Sequence, residues 1–132
     1  HGAARLTVDL DVVYSRTPEN IERLAAALSD LEPYLRGAPA GLPFKFDVST
    51  IQRGMNFTLT TAVGDLDLLG EVTGGGSYEE LLSSTELVTV FGKTVRCLNL
   101  EKLIHVKRAA GRPKDFEAIA ELERLNELDD PN

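Results

Sequence analysis

One stretch near the start, Arg5-Leu6-Thr7-Val8-Asp9-Leu10-Asp11-Val12-Val13-Tyr14, constrains this chain more than any other. β-Branched and apolar residues dominate it and Thr17-Pro18 closes it just downstream, so it reads as a strand. Side chains on a strand alternate faces, which lines Arg5, Thr7, Asp9 and Asp11 along one side and Leu6, Val8, Leu10 and Val12 along the other. The second set is core material. In the first set, two neighbouring carboxylates raise each other's cost of ionisation unless a cation sits beside them. That suits Mg²⁺ carrying a phosphate ligand better than it suits stability, and an arginine on the same face can reach the same phosphates. An edge strand turning its polar side to water is the plainer reading of the same pattern.

The length of 132 residues makes this one domain, 1–132, with enough chain to bury a sizeable core. A net charge of -7 argues against a general coat for nucleic acid or membrane. Cys97 is the single cysteine, so there is no internal disulfide and no cysteine pair for zinc, and a reducing, cytoplasmic setting fits. No apolar run reaches membrane-spanning length and no signal peptide opens the chain. The start at His1-Gly2, a few residues ahead of a strand, reads as a cut.

Thr17-Pro18-Glu19 starts a helix, and Ile21, Leu24, Ala25, Leu28 and Leu31 carry its apolar stripe to about residue 31. Arg36 to Leu42 is loop, and residues 48–54 are either a short helix stopped by Gly54 or loop. Strands follow at 57–61 and 65–69 around a turn through Val63-Gly64. The second repeats the Asp-Leu-Asp pattern, with Asp65 and Asp67 on one face. Gly74-Gly75-Gly76 invites a phosphate-loop reading, but no lysine follows at the needed offset. Ser77 and Glu80 instead form a capping box for a helix over 77–83, with the glycines as a flexible lead-in. Residues 86–91 and 94–98 make a hairpin around Gly92-Lys93.

Asn99 caps a helix that ends at Gly111, with Leu100, Leu103 and Ile104 facing the core and Lys107 next on that stripe. His105 lies off the stripe, in solvent. Arg112-Pro113 opens a last helix to about Leu128, with Phe116, Ile119, Ala120, Leu122 and Leu125 inward and Asp115 near the same face; 129–132 form a frayed tail. From Lys93 to Lys114 seven basic residues (Lys93, Arg96, Lys102, Lys107, Arg108, Arg112, Lys114) stand against one acid, Glu101. Such a block suits a polyphosphate or RNA-end contact, or simply a solvated helix face.

Taken together, the residues His1 to Asp11, the segment Gly64-Asp65-Leu66-Asp67-Leu68-Leu69-Gly70 and the block Lys107-Arg108-Ala109-Ala110-Gly111-Arg112-Pro113-Lys114-Asp115 resemble the nucleotidyltransferase superfamily of polymerase-beta-like fold. The likeness is nearest to small bacterial members, including nucleotidyltransferase-type toxins and abortive-infection proteins. It implies an α/β (α+β) fold, a mixed sheet with helices mostly on one face, N-terminally incomplete. The family's Gly-Ser or Gly-Gly motif, and the strand before it, would fall ahead of His1, leaving a sheet edge open for a homodimer.

The resemblance implies Mg²⁺-dependent transfer of a nucleoside monophosphate from an NTP to an acceptor hydroxyl on an RNA end, a protein or a small molecule. Catalytic and metal-binding roles would fall to Asp9, Asp11 and Asp67, with Asp65 as the fallback, around two Mg²⁺ ions. Arg5, Thr7, Lys107 and Arg112 would bind nucleotide, and Asp115 could orient Lys107 or Arg112. An inactive binding or regulatory module of the same fold, such as one half of a toxin–antitoxin pair, is the alternative. A calcium-binding domain built on the Asp-Leu-Asp pairs lacks the further ligand and loop glycine of an EF-hand.

Overall fold

The structure, a computed structural model, describes residues 9–111 and 113–129, with side chains over 10–111 and 119–127. Mixed α and β elements fall into two compact units, Thr7–Glu71 and one built on Val72–Asn132.

In the first unit, β1 (Asp9–Val13) is followed by α1 (Pro18–Leu28) and a 3-10 turn over Ser29–Leu31. The Thr17 hydroxyl accepts from the Asn20 N–H at 3.4 Å, and Asn20 Nδ2 donates to the Ser15 carbonyl at 2.7 Å, which fixes where the helix begins. After β2 (Tyr34–Leu35) comes α2 (Val48–Arg53), then β3 (Asn56–Thr61) and β4 (Gly64–Leu69). α2 is the helical alternative for this stretch. Asp47 caps it through the Thr50 N–H at 2.9 Å, and Gly54 ends it. At its other end Arg16 donates to the Ile51 and Gln52 carbonyls at 3.1 and 3.2 Å, satisfying acceptors that the last turn leaves open.

The strands form one mixed sheet in the order β1-β4-β3-β2, with β1 parallel to β4 and the other pairings antiparallel. Ile21 and Leu28 of α1, Ile51 of α2, and Phe57, Leu59 and Leu68 of the sheet meet Tyr14 and Phe46 in one buried cluster. Both helices therefore cover the face carrying Val12, Phe57, Leu59 and Leu68, and the odd-numbered positions of β1 and β4 turn away from them.

The chain from Glu71 opens with β5 (Glu71–Val72) paired to β6 (Gly76–Ser77), then α3 (Tyr78–Leu81) with a 3-10 turn over Leu82–Ser84. The Ser77–Glu80 capping box forms as expected. A hairpin of β7 (Thr85–Val90) and β8 (Lys93–Leu98) precedes α4 (Leu100–Ala110) and α5 (Pro113–Asp129). Ile104 packs on Ile119 and Leu122, with Leu100 and Leu103 alongside. Asn99 caps α4 through the Lys102 N–H at 2.8 Å, and Gly111 ends it at φ 66°.

Several expectations need correction. Leu10 is 62% exposed rather than core. It stands near the start of a strand that is the sheet edge among the described residues, outside the cluster that gathers Val12 and Tyr14. Tyr14 instead supplies the buried bulk, donating its hydroxyl to the Met55 carbonyl at 2.7 Å. Ala120 is exposed, because Ile119 and Leu122 define the inward face of α5 and Ala120 lies about 130° from its centre. Asp129 still belongs to α5. The first hairpin turns at Ala62-Val63, with Gly64 already paired to Thr61. The second turns at Phe91-Gly92, both at positive φ, with Lys93 already paired to Val90. Phe116, Asp115 and the tail 130–132 lie outside the described residues or side chains.

Candidate functional site

Parallel pairing of β1 with β4 sets Asp9 opposite Asp65 and Asp11 opposite Asp67. Strand neighbours are about 4.8 Å apart, so the register draws the two Asp-Leu-Asp motifs into one compact block of four carboxylate positions. These positions share the sheet face that turns away from α1 and α2. β3 borders the block with Thr58 opposite Asp67 and Thr60 opposite Asp65. Asp11 is exposed, Asp65 is 37% exposed and Asp67 is 19% exposed, the most sheltered of the three.

Arg36, in a stretch whose sequence pattern reads as loop, enters this block from the β2 edge of the sheet. The two-residue strand β2 pairs Tyr34 with Thr60 and Leu35 with Leu59, and Arg36 N–H then donates to the Thr58 carbonyl at 3.0 Å. That ladder aims the side chain along the sheet. Arg36 Nη2 donates to the Leu59 carbonyl at 2.7 Å and lies 2.9 Å from Asp67 Oδ1, while Nε lies 3.3 Å from Asp65 Oδ2. Arg36 Nε and Asp67 Oδ1 are shut off from water yet neither makes a directed hydrogen bond. The contact is thus charge against charge, short of the coplanar fork that makes arginine–carboxylate pairs strongest.

An all-oxygen donor set of carboxylates is the kind that hard divalent cations take, and Asp67 Oδ1 is a sheltered acceptor with no hydrogen bond to lose. The residues present fit Mg²⁺ in kind. Among the described residues no three acidic, histidine or cysteine side chains already converge as a metal cluster, and the Asp9 side chain lies outside them.

Of the residues singled out in the sequence, Asp9, Asp11, Asp65 and Asp67 are brought into register. Arg5, Thr7 and Arg112 lie outside the described residues. Lys107 is half-buried on α4, within the other compact unit. In that unit Asn99, Lys102, His105, Arg108, Glu123 and Asn126 line much of a polar cleft of about 580 Å³, and Arg108 pairs with Glu123. His105 is exposed, as expected. The glycine run serves packing: a Cβ on Gly74 would stand 2.4 Å from Ala109 Cβ, and one on Gly75 2.9 Å from Leu81 Cδ2.

No helix among the described residues is long and apolar enough to cross a membrane. Comparison with protein-family models, curated proteins and solved structures finds no match for this chain.

Proposed function

We propose that the chain is a Mg²⁺-dependent nucleotidyltransferase domain of the polymerase-beta-like type, working on an NTP with an RNA end, a protein or a small molecule as acceptor. The observation that supports it most is the register of Asp9 and Asp11 with Asp65 and Asp67 on one sheet face. A third carboxylate on a neighbouring strand is what the sequence resemblance calls for, and Asp67 stands directly opposite Asp11.

In this reading Asp9, Asp11 and Asp67 hold the cation, and Asp67, the most sheltered, helps take the proton from the acceptor hydroxyl. Bound Mg²⁺ supplies neutralisation of phosphoryl charge and lowers the cost of activating that hydroxyl. Asp65 keeps Arg36 in place beside Asp67. The ion pairs of Arg36 favour a second reading, an inactive regulatory module of the same fold, because they already neutralise part of the acidic face. Calorimetric titration with each of the four NTPs, with and without Mg²⁺, tests the proposal. Mg²⁺-dependent binding that disappears in Asp9→Ala/Asp11→Ala supports it, and binding indifferent to both Mg²⁺ and the aspartates sinks it.

A further inference from the structure

Arg36 holds a place in the acidic face that its sequence position does not announce. Carboxylate positions that face each other about 4.8 Å apart across the β1–β4 pair repel one another, and a fixed positive charge among them offsets that repulsion when no metal is present. Three details set Arg36 apart from an ordinary surface ion pair. It spans two carboxylates on the same strand, Nε to Asp65 and Nη2 to Asp67. Backbone holds it: the Leu59 carbonyl accepts from Nη2, and the Arg36 N–H is itself in the β2–β3 ladder. And its contact with Asp67 Oδ1 is close but undirected, with that oxygen shut off from water and holding no hydrogen bond.

We propose that Arg36 is the resident counter-ion of this face and competes with a divalent cation for Asp67. The inference rests on the cation-binding reading of Asp9, Asp11 and Asp67 given above. A dication bonding Asp67 Oδ1 repels the guanidinium nitrogen that lies 2.9 Å from that oxygen, so each positive charge weakens the other's hold on Asp67. Exchange has a cost on the protein side. Asp67 Oδ1 gives up no directed hydrogen bond and Arg36 Nε keeps Asp65. Nη2, however, is also the donor to the Leu59 carbonyl, so moving it off Asp67 strains or breaks that bond. The arginine thus stabilises the metal-free fold and raises the cation concentration needed to fill the site. It is a positioning residue with regulatory effect and touches no reacting atom.

The test is Mn²⁺ titration by calorimetry on the full chain, on Arg36→Met and on Arg36→Lys, with circular dichroism to establish folding. Arg23→Met, which removes an exposed charge on α1, serves as the control for net charge. Arg36→Met is expected to bind Mn²⁺ about tenfold more tightly or better, and Arg23→Met to shift by less than about twofold. Without metal Arg36→Met is expected to melt at lower temperature than the parent, with Mn²⁺ restoring the difference. Arg36→Lys, which cannot span both carboxylates, is expected to fall between, and it decides the question if Arg36→Met fails to fold. Mn²⁺ binding by the parent that is equal or weaker in the folded Arg36 variants overturns the competition and leaves the cation site standing. Absence of Mn²⁺ binding in the parent and in the folded variants alike overturns both.

Discussion

Gly74→Ala separates two meanings of the Gly74-Gly75-Gly76 run. Gly74 has φ 79°, and a Cβ built on it meets Ala109 Cβ of α4 at 2.4 Å. Two costs follow. An alanine in the left-handed region costs about 1–2 kcal/mol. Forcing a methyl group into a packed helix contact costs about 1–3 kcal/mol more. The variant is therefore expected to lose roughly 2–5 kcal/mol of stability in urea denaturation followed by circular dichroism. Gly92→Ala is the matched comparison: φ there is 74° but nothing lies within 4 Å, so only the first cost of about 1–2 kcal/mol applies. Adding Ala109→Gly to Gly74→Ala is expected to recover the packing part, less about 1 kcal/mol for a glycine in a helix. A Gly74→Ala variant no less stable than Gly92→Ala refutes the reasoning. The loop would then be free of α4 and available to cradle an anion.

Two further predictions concern pH. Burial pushes the Tyr14 phenol above its ordinary value, with the Arg16 guanidinium pulling the other way. The neutral phenol's contribution to stability is thus complete below the unfolded-state value of about 10 and is lost as pH rises through the folded-state value. Tyr14→Phe is expected to cost about 1 kcal/mol near neutrality, by losing the bond to the Met55 carbonyl, and to flatten the alkaline decline seen in pH-dependent denaturation. Asp47 is held below the usual carboxylate range by the Thr50 N–H at the start of α2. Its charge stabilises the fold above the unfolded-state value and is lost as pH falls through the folded-state one. Asp47→Asn keeps a capping oxygen and is expected to remove that part of the acid dependence; an unchanged acid limb would contradict the assignment.

Local chemistry made much of the architecture legible. Thr17-Pro18, Asn99 with Gly111, and the Ser77–Glu80 box each announce a helix end through hydrogen bonds made within a few residues. The strands carrying Asp11 and Asp67 follow in the same way from alternation. What alternation cannot supply is strand order. That β1 lies parallel to β4, so that the two Asp-Leu-Asp motifs sit in register, depends on a crossover through two helices and two other strands.

Arg36 was illegible for a related reason. A two-residue strand between Pro33 and Gly37 has no periodicity to read, and only its pairing with β3 sends the guanidinium towards Asp65 and Asp67. The nearest available signal is arithmetic: paired acidic motifs on adjacent strands need a compensating cation from some third element. Leu10 failed through position along the strand, since alternation gives its face but not how far the helices extend over it.

The most direct measurement of the central claim is the effect of sub-stoichiometric Mn²⁺ on the ¹⁵N–¹H spectrum of the chain. Paramagnetic broadening falls steeply with distance, so a bound ion marks its own neighbourhood. If the aspartate face is the cation site, the amides of β1 and β4 around Asp11 and Asp67 broaden first, and excess Mg²⁺ restores them. Broadening confined to other elements, or none at millimolar Mn²⁺, contradicts the account and leaves the acidic face as an ion-paired surface held by Arg36.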